Sequence, residues 1–230
     1  LEITSQDGDA SGRRHLAFDC DVTDPDKLSK VLEVVKDRYQ RIDIYCSNAG
    51  IVFPPTKFCG DDDKVTKHSP KQWNRILQVN LLSHVTALRL LLPDWESGKG
   101  DGIFCMTASA AGLLTMVGDA SYGVTKAAAV SLAEHLAISH GNVVQVHCLC
   151  PQAVDTPFVA DTKAVNAAMT DGVVSPEFVA DCTLDAIQKK EFFIFPHPEV
   201  PTYFERKAKD HARWLKGMQR LRNRMMQSKL

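Results

Sequence analysis

The chain has 230 residues, 44% of them apolar, with 27 Lys+Arg against 28 Asp+Glu and a net charge of −1. That apolar share supports a sizeable core and excludes a disordered chain, while the near-neutral balance excludes an overall nucleic-acid binder, which would be strongly basic. No run of about 18 apolar residues is present, so no membrane-spanning helix is expected, and no basic-then-apolar signal peptide opens the chain.

Residues 1–14 are polar and turn-rich, with Gly8 and Gly12, and no strand is placed there. Leu16 to Cys20 is a short apolar run suited to a buried strand. Asp24 and Pro25 open a helix, Asp24 as a cap and Pro25 in the first turn. Leu28, Val31, Leu32 and Val35 then recur on one helical face. Ile42 to Cys46 is the next strand, ending at Ser47-Asn48-Ala49-Gly50. A polar loop follows from Phe53 through Asp61-Asp62-Asp63, and the acidic triplet reads as a solvated loop. Ser69-Pro70 starts a long helix to about Leu92, where Pro93 marks its end. Gly102 to Thr107 is a strand, Ser121 to Ser139 a helix, and Val143 to Cys150 a strand broken by Pro151. Ser175-Pro176 caps a helix to about Lys189, and Phe192 to Phe195 is a last strand. From Pro201 onward nine Lys/Arg face two Asp/Glu, a local +7, with Tyr203, Phe204, Trp214, Leu215 and Met218 interleaved. That pattern is a basic amphipathic helix, read first as one packed on the domain, with membrane-surface or partner contact as the alternative.

Strands that are apolar on both faces alternate with helices, which is the signature of a parallel sheet covered by helices on each side. The fold class is therefore α/β, a doubly wound parallel sheet with helices on both faces, with residues 1–200 as the domain and 201–230 as the terminal helix. In such sheets ligands bind beyond the carboxyl ends of the strands. Chemistry is to be sought at Asp21, at Asn48-Ala49-Gly50, at Ser109 and from Pro151 to Thr156.

The seven cysteines are odd in number and mostly lie in apolar runs, as buried small residues do. Cys148 and Cys150 share one strand face and His147 points the other way, so they read as packing, and no metal site is expected. A reducing compartment, taken as cytoplasmic, fits this usage.

Tyr122 and Lys126 stand four apart at a helix start and so share a face. A free tyrosine titrates near 10, too high for a base at neutral pH, and a nearby ammonium lowers that value. Lys126 can therefore bring Tyr122 toward proton exchange at physiological pH. Ser109, at a strand end, can hold a substrate oxygen beside it. A lone Tyr-x-x-x-Lys pair is common on surfaces and is weak by itself.

These residues occur in company. From about Asp21 to about Phe158, and more loosely to Phe195, the chain resembles the short-chain dehydrogenase/reductase family. Asp21-Val22 is similar to its adenine-contacting pair, and Asn48-Ala49-Gly50 to its strand-four motif, with Ser47 where a second asparagine is usual. Asn80 falls at the position of its catalytic asparagine. Ser109-Ala110-Ala111-Gly112 resembles its serine motif, Tyr122 to Lys126 its tyrosine-lysine motif, and Pro151 to Thr156 its Pro-Gly-x-Val-x-Thr segment. The resemblance implies an NAD- or NADP-dependent oxidoreductase interconverting a secondary alcohol and a ketone. Tyr122 would be the general acid/base, Ser109 would hold the reacting oxygen, and Lys126 would lower the Tyr122 pKa and hold the nicotinamide ribose. Asn80 would kink its helix and anchor a water leading to Lys126. The Val154 backbone and the Thr156 hydroxyl would hold the nicotinamide carboxamide, with Pro151 also at the cofactor. The cofactor performs the redox step, and the chain supplies position and proton control.

Two departures carry expectations. Gln152 replaces a glycine, which is costly if that position needs a positive φ. The family's Gly-rich turn, which lets backbone approach a pyrophosphate, is missing, and with it the first βαβ unit and the residue that selects NAD or NADP. Leu1 in place of Met fits a processed, truncated or partial chain. The strand at Leu16 is then left without its partner, and the strand at Ile42 presents an unpaired edge. The alternative reading is a truncated non-catalytic isoform or pseudoenzyme that keeps an interaction surface. A methyltransferase-like protein of similar fold would have no use for Ser109, Tyr122 and Lys126 in this order. The segment from Phe158 to Val174, with Phe158, Val159, Val165 and Met169, corresponds to the family's variable lid and hints at a hydrophobic substrate. A homodimer or homotetramer through the helices Ser69 to Leu92 and Ser121 to Ser139 is the expectation.

Overall fold

The computed structural model describes residues 3–6, 15–53, 65–98, 101–160 and 171–227. Gly8 and Gly12, Asp61-Asp62-Asp63, Cys59, Val165 and Met169 lie outside the described residues.

Four strands form a parallel sheet in chain order: β3 (Ile44–Ser47), β4 (Gly102–Thr107), β5 (Val144–Leu149) and β6 (Phe193–Ile194). The register sets Cys46 beside Cys105 and Cys105 beside His147. Earlier in the chain, β1 (Ile3–Gln6) and β2 (His15–Phe18) make a separate antiparallel pair, with Ile3 opposite Phe18. The sequence reading has no strand before Leu16 and leaves that strand unpartnered; the structure corrects both points. An open strand edge accepts an extended segment close in the chain, because a short loop closes at small entropic cost. The other expectation stands, since β3 pairs only with β4 among the described residues and Ile44 is 46% exposed.

Local signals start the helices. Asp24 caps α1 (Pro25–Tyr39) by accepting from the Asp26 and Lys27 amides. Ser69 and Gln72 form a reciprocal capping box on α2 (Pro70–Leu77). After the short α6 (Pro157–Ala160), Ser175 caps α7 (Pro176–Lys189) by accepting from the Phe178 amide. The long helix expected from Ser69 to Leu92 is in fact three pieces: α2, a π-helical turn over Gln78–Leu82, and α3 (Ser83–Glu96). Pro93 does not end it but lies inside α3. The next turn is held by Trp95, which is buried, donates from Nε1 to the Ile42 carbonyl at 2.9 Å and lies against Gly102. A Cβ at Gly102 would fall 2.1 Å from the Trp95 ring, so only glycine opens β4 there. Pro70–Glu96 is long and apolar enough to cross a membrane by length and composition. Ile76, Ala87, Leu88, Leu91 and Trp95 bury its apolar face inside the fold, as in a core helix.

The two sheet faces are unequally covered. One carries the main core, with Phe104, Met106, Val146 and Cys148 packed against Leu28 and Leu32 of α1, Leu88 and Leu91 of α3, and Ala129 and Ala133 of α5 (Ala120–His140). The other has a small cluster of Cys105, Leu149, Ile194 and Ala186 beneath α7. Cys148 and Cys150 lie in the first core, with their sulfurs 3.8 Å apart. His147 points to the other face, 2.6 Å from the Glu191 carbonyl, as alternation along a strand requires.

The basic tail is two helices, not one: α8 (Glu199–Lys209) and α9 (His211–Gln227). Asp210 separates them, and its carboxylate accepts from the Arg213 amide at 2.9 Å, starting α9.

Candidate active site

A cavity of about 1300 Å³ opens beyond the carboxyl ends of the parallel strands. Asn48, Ala49 and Gly50 border it after β3, and Ser109 after β4. Tyr122 and Lys126 reach it from α5, and Pro151, Val154 and Thr156 from the segment after β5. The strand ends and one helix thus bring together residues from four separate stretches of chain.

Ser109 caps the short helix α4 (Ala110–Leu114), accepting from the Ala111 amide at 3.1 Å. Its hydroxyl also reaches the Pro151 carbonyl at 3.3 Å and borders the same cavity as Tyr122. Gly112 makes this approach possible. A Cβ there would lie 2.5 Å from the Lys126 carbonyl oxygen, so α4 can rest on α5 only with glycine at that point. Asp119 caps α5 through the Tyr122 amide at 3.0 Å, which sets where the helix begins and hence where Tyr122 points. Lys126 is buried; its Nζ donates to the Thr107 carbonyl at 2.7 Å and sits 5.8 Å from the centre of the Tyr122 ring.

Asn80 stands in the π-helical turn and is fully buried. Its Oδ1 accepts from the Ile51 amide at 2.8 Å, and its Nδ2 donates to the Ile51 carbonyl at 2.9 Å and to Thr125 Oγ1 at 3.1 Å. It therefore clamps the loop after β3 to α5. The local helix distortion implied by the resemblance is present, and π turns recur at functional sites. Asn48 accepts from the Thr107 hydroxyl at 2.8 Å, so Thr107 ties that loop and Lys126 to one strand end.

The electrostatics correct one expectation. Burial pushes the Tyr122 phenol up to about 12, with the Ser109 hydrogen bond opposing that rise. Burial lowers Lys126 to about 8. Lys126 is not what governs the Tyr122 value in the free chain, because its ammonium bonds Thr107 and lies over the ring face, and is itself weakened by the same dry surroundings. Tyr122 keeps part of its surface open to the cavity, but the packing around it is dense enough for desolvation to dominate. The resting group is a neutral phenol, able to donate a proton to an oxygen placed beside Ser109.

Gln152 adopts no positive φ, so the departure from glycine carries no backbone strain. Its amide donates to His197 Nδ1 at 3.2 Å and its side chain to Asp171 at 3.0 Å. Val154 bridges to Val174, and the Thr156 hydroxyl reaches the Val154 carbonyl at 3.3 Å.

Asp21 and Val22 do not border the cavity. Asp21 is exposed, accepts from the Thr23 amide and hydroxyl at 3.0 and 2.8 Å, and pairs with Arg75 at 3.5 Å. The Thr23 bonds hold its carboxyl below its usual value. The physical reason for the separation is that β2 joins β1 and not the four-stranded sheet.

Several site residues were not read from the sequence. His84 is buried, its Nδ1 is 2.6 Å from the Ser47 hydroxyl, and burial with the Lys126 charge lowers it to about 3, so it stays neutral. Its spacing of four from Asn80 was the available signal. Cys46 also borders the cavity, and a hydrogen bond from Cys105 lowers its thiol to about 7. Tyr203, Trp214 and Met218 of the tail line the cavity too, which an amphipathic pattern alone does not reveal.

The sequence profile described as short chain dehydrogenase matches residues 2–167. A 1-deoxy-11-beta-hydroxypentalenate dehydrogenase of Streptomyces arenae is 29% identical over 197 residues, covering 84% of this chain and 68% of the relative. A D-beta-hydroxybutyrate dehydrogenase of Rhizobium meliloti is 28% identical over 198 residues, 83% of this chain and 70% of that one. Among solved structures, a short chain dehydrogenase/reductase of Burkholderia phymatum in complex with NAD superposes with a TM-score of 0.69 at 21% identity, over 83% of this chain and 73% of that one. A short-chain dehydrogenase of Streptomyces avermitilis also gives 0.69, at 19% identity over 89% and 78%. The structural likeness shows the Rossmann-type α/β fold.

Proposed function

The chain belongs to the short-chain dehydrogenase family, and from that premise we propose that it interconverts a secondary alcohol and a ketone with a nicotinamide cofactor, Tyr122 acting as general acid/base. The observation that carries this reading is the convergence of Ser109, Tyr122 and Lys126 on one cavity, with the Lys126 Nζ 5.8 Å from the centre of the Tyr122 ring. The named activities of the relatives, both dehydrogenases of hydroxylated acids, support the reaction class.

The cavity side of the chain fits the nicotinamide end of such a cofactor. Lys126 uses one donor on Thr107 and has others for ribose hydroxyls, and the Pro151–Thr156 segment offers backbone and hydroxyl groups for a carboxamide. The bound cofactor would supply or take a hydride. Ser109 holds the substrate oxygen, and Tyr122 gives its proton to that oxygen in reduction and accepts it back in oxidation. Lys126 stabilises the phenolate that forms, and Asn80 positions Lys126 through Thr125 and the Ile51 loop.

One observation favours a second reading, a non-catalytic member that keeps an interaction surface: Asp21 and Val22 lie off the cavity, so the adenine end has no partner from that pair. Titration with NADH and NADPH, followed by cofactor fluorescence, separates the two. Saturable binding together with ketone reduction that Tyr122→Phe abolishes is the expected result. Absence of binding by either nucleotide overturns the enzyme reading in favour of the second. We also propose self-association through α5 and the π-helical turn before α3, where Leu82, Val124 and Ile138 leave 41%, 52% and 84% of their surface open. Light scattering on the eluted chain would return a dimer or tetramer mass, and a monomer mass would refute it.

A further inference from the structure

We propose that the C-terminal arm, α8 and α9, is the outer wall of the substrate cavity and makes the site selective for a bulky apolar alcohol or ketone. The proposal rests on the oxidoreductase reading for the reacting group and adds the substrate class.

Trp214, Met218, Leu221 and Met225 all border the cavity. Their spacing of four, three and four is a single helical stripe, so α9 turns its apolar face inward and its basic residues outward. Met116 and Phe158 face the same space from the body of the domain, with the Phe158 ring 6.0 Å from that of Tyr122. Thioethers on both sides adapt to irregular apolar shapes. The cavity of about 1300 Å³ has room beside the residues assigned to the nicotinamide end, and the arm's stripe lines its apolar remainder. A small polar alcohol would leave most of that wall unmatched, whereas a bulky apolar body would bury it. The Trp214 indole nitrogen is buried with no hydrogen-bond partner among the described residues, so an acceptor on that body would satisfy it.

The arm is anchored at its root. Val200 is fully buried. The Tyr203 hydroxyl donates to Asp171 Oδ1 at 3.0 Å, and Asp171 Oδ2 accepts from Gln152 at 3.0 Å. Lys207 donates to the Leu113 carbonyl and lies 3.4 Å from the Thr115 hydroxyl, at a turn where Thr115 holds a φ of 70°. These contacts tie the arm to the loop after β5 and to the end of α4. Gln152, where the resemblance has glycine, supplies a bond that glycine could not. The arm is thus docked on the two segments that frame the reacting oxygen.

The test uses the full chain with trans-1-decalone as a bulky apolar probe and 2-butanone as a small one. Binding is followed by tryptophan fluorescence, and nicotinamide binding is measured separately. Decalone should quench saturably with a Kd at least tenfold below that of butanone, and Trp214→Phe should remove most of the quench. Met218→Asp and Leu221→Asp should each raise the decalone Kd tenfold or more and leave that of butanone within twofold. Should those variants misfold, Gln152→Gly loosens the anchor without touching the stripe and should raise the decalone Kd at least threefold. Equal affinity for the two probes, or a decalone Kd unchanged in folded arm variants, overturns the proposal. If nicotinamide fails to bind while decalone still discriminates, the oxidoreductase reading falls and the wall stands.

Discussion

Ser109, Tyr122 and Lys126 stand at one end of the molecule's chemistry, and Asp21 and Val22 at the other, and they are held very differently. The first group hangs on β4 and α5. Strand β4 has neighbours on both sides, and α5 is pinned by a backbone contact at Gly112. The second follows β2, whose only partner among the described residues is the nearby β1. The motif residues on β4 and α5 border the cavity. Those after the β1–β2 pair do not. A motif specifies chemistry only when its strand is registered against the rest of the site.

The sharpest way to test that contrast is to remove the phenol. Tyr122→Phe keeps the ring and its 6.0 Å contact with Phe158 but loses the proton. A positioned acid/base contributes about 10²–10⁴-fold, so kcat for ketone reduction should fall by that factor while nucleotide affinity holds. Single-turnover absorbance of the reduced nicotinamide measures it. A loss below about tenfold would move the acid role away from Tyr122.

Next in size is Asn80→Ala, which strands the Ile51 amide and carbonyl, while the Thr125 hydroxyl loses one donor and still bonds the Tyr122 carbonyl. Leaving such groups unpaired costs about 1–3 kcal/mol. Urea unfolding should show that loss with an unchanged m-value. A loss under about 0.5 kcal/mol would mean that the clamp is not rigid.

Much of this architecture was legible because its signals are local. Asp24-Pro25, Ser69-Pro70 and Ser175-Pro176 each announce a helix start, and the alternation of apolar strands with helices announces the parallel sheet. What was not legible depends on distant contacts. Pro93 reads as a stop, yet Trp95 docking on Ile42 and Gly102 carries α3 one turn further. The β1–β2 pair arises from which edge a segment meets, not from its own pattern. The tail's apolar stripe was visible, but which surface it covers was not. The Tyr122 pKa failed for a similar reason, since sequence spacing places Lys126 near the ring without showing that both are dry.

That dryness sets a pH dependence that also distinguishes the two regions. Burial holds Lys126 near 8 in place of 10.5. Between those values the unfolded chain binds a proton that the folded chain lacks, so stability rises with pH through that window. The slope from this group is at most about 1.4 kcal/mol per pH unit. Tyr122 acts in the opposite sense above pH 10. Its folded value near 12 keeps a proton that the unfolded chain has lost, so stability falls from pH 10 to 12. Urea midpoints at pH 7 to 10 for the wild type and Lys126→Met should diverge, with the wild type gaining on the variant as pH rises. Parallel curves would place Lys126 in water.

Asp21 should give the smallest response. Its carboxyl is exposed and its bonds go to Thr23 and Arg75, two residues away and across an open surface. Exposed pairs contribute little because water solvates both partners when they part. Asp21→Asn should therefore change stability by less than about 0.5 kcal/mol. The variant keeps an acceptor oxygen for Thr23 while losing the charge that faces Arg75. If the adenine end of a nucleotide rests elsewhere, the Kd for NADH and for NADPH should stay within twofold of the wild type. A tenfold weakening would show that β2 moves into the site when nucleotide binds. The contrast between the two regions would then belong to the free chain alone, with the nucleotide supplying the registration that β2 lacks.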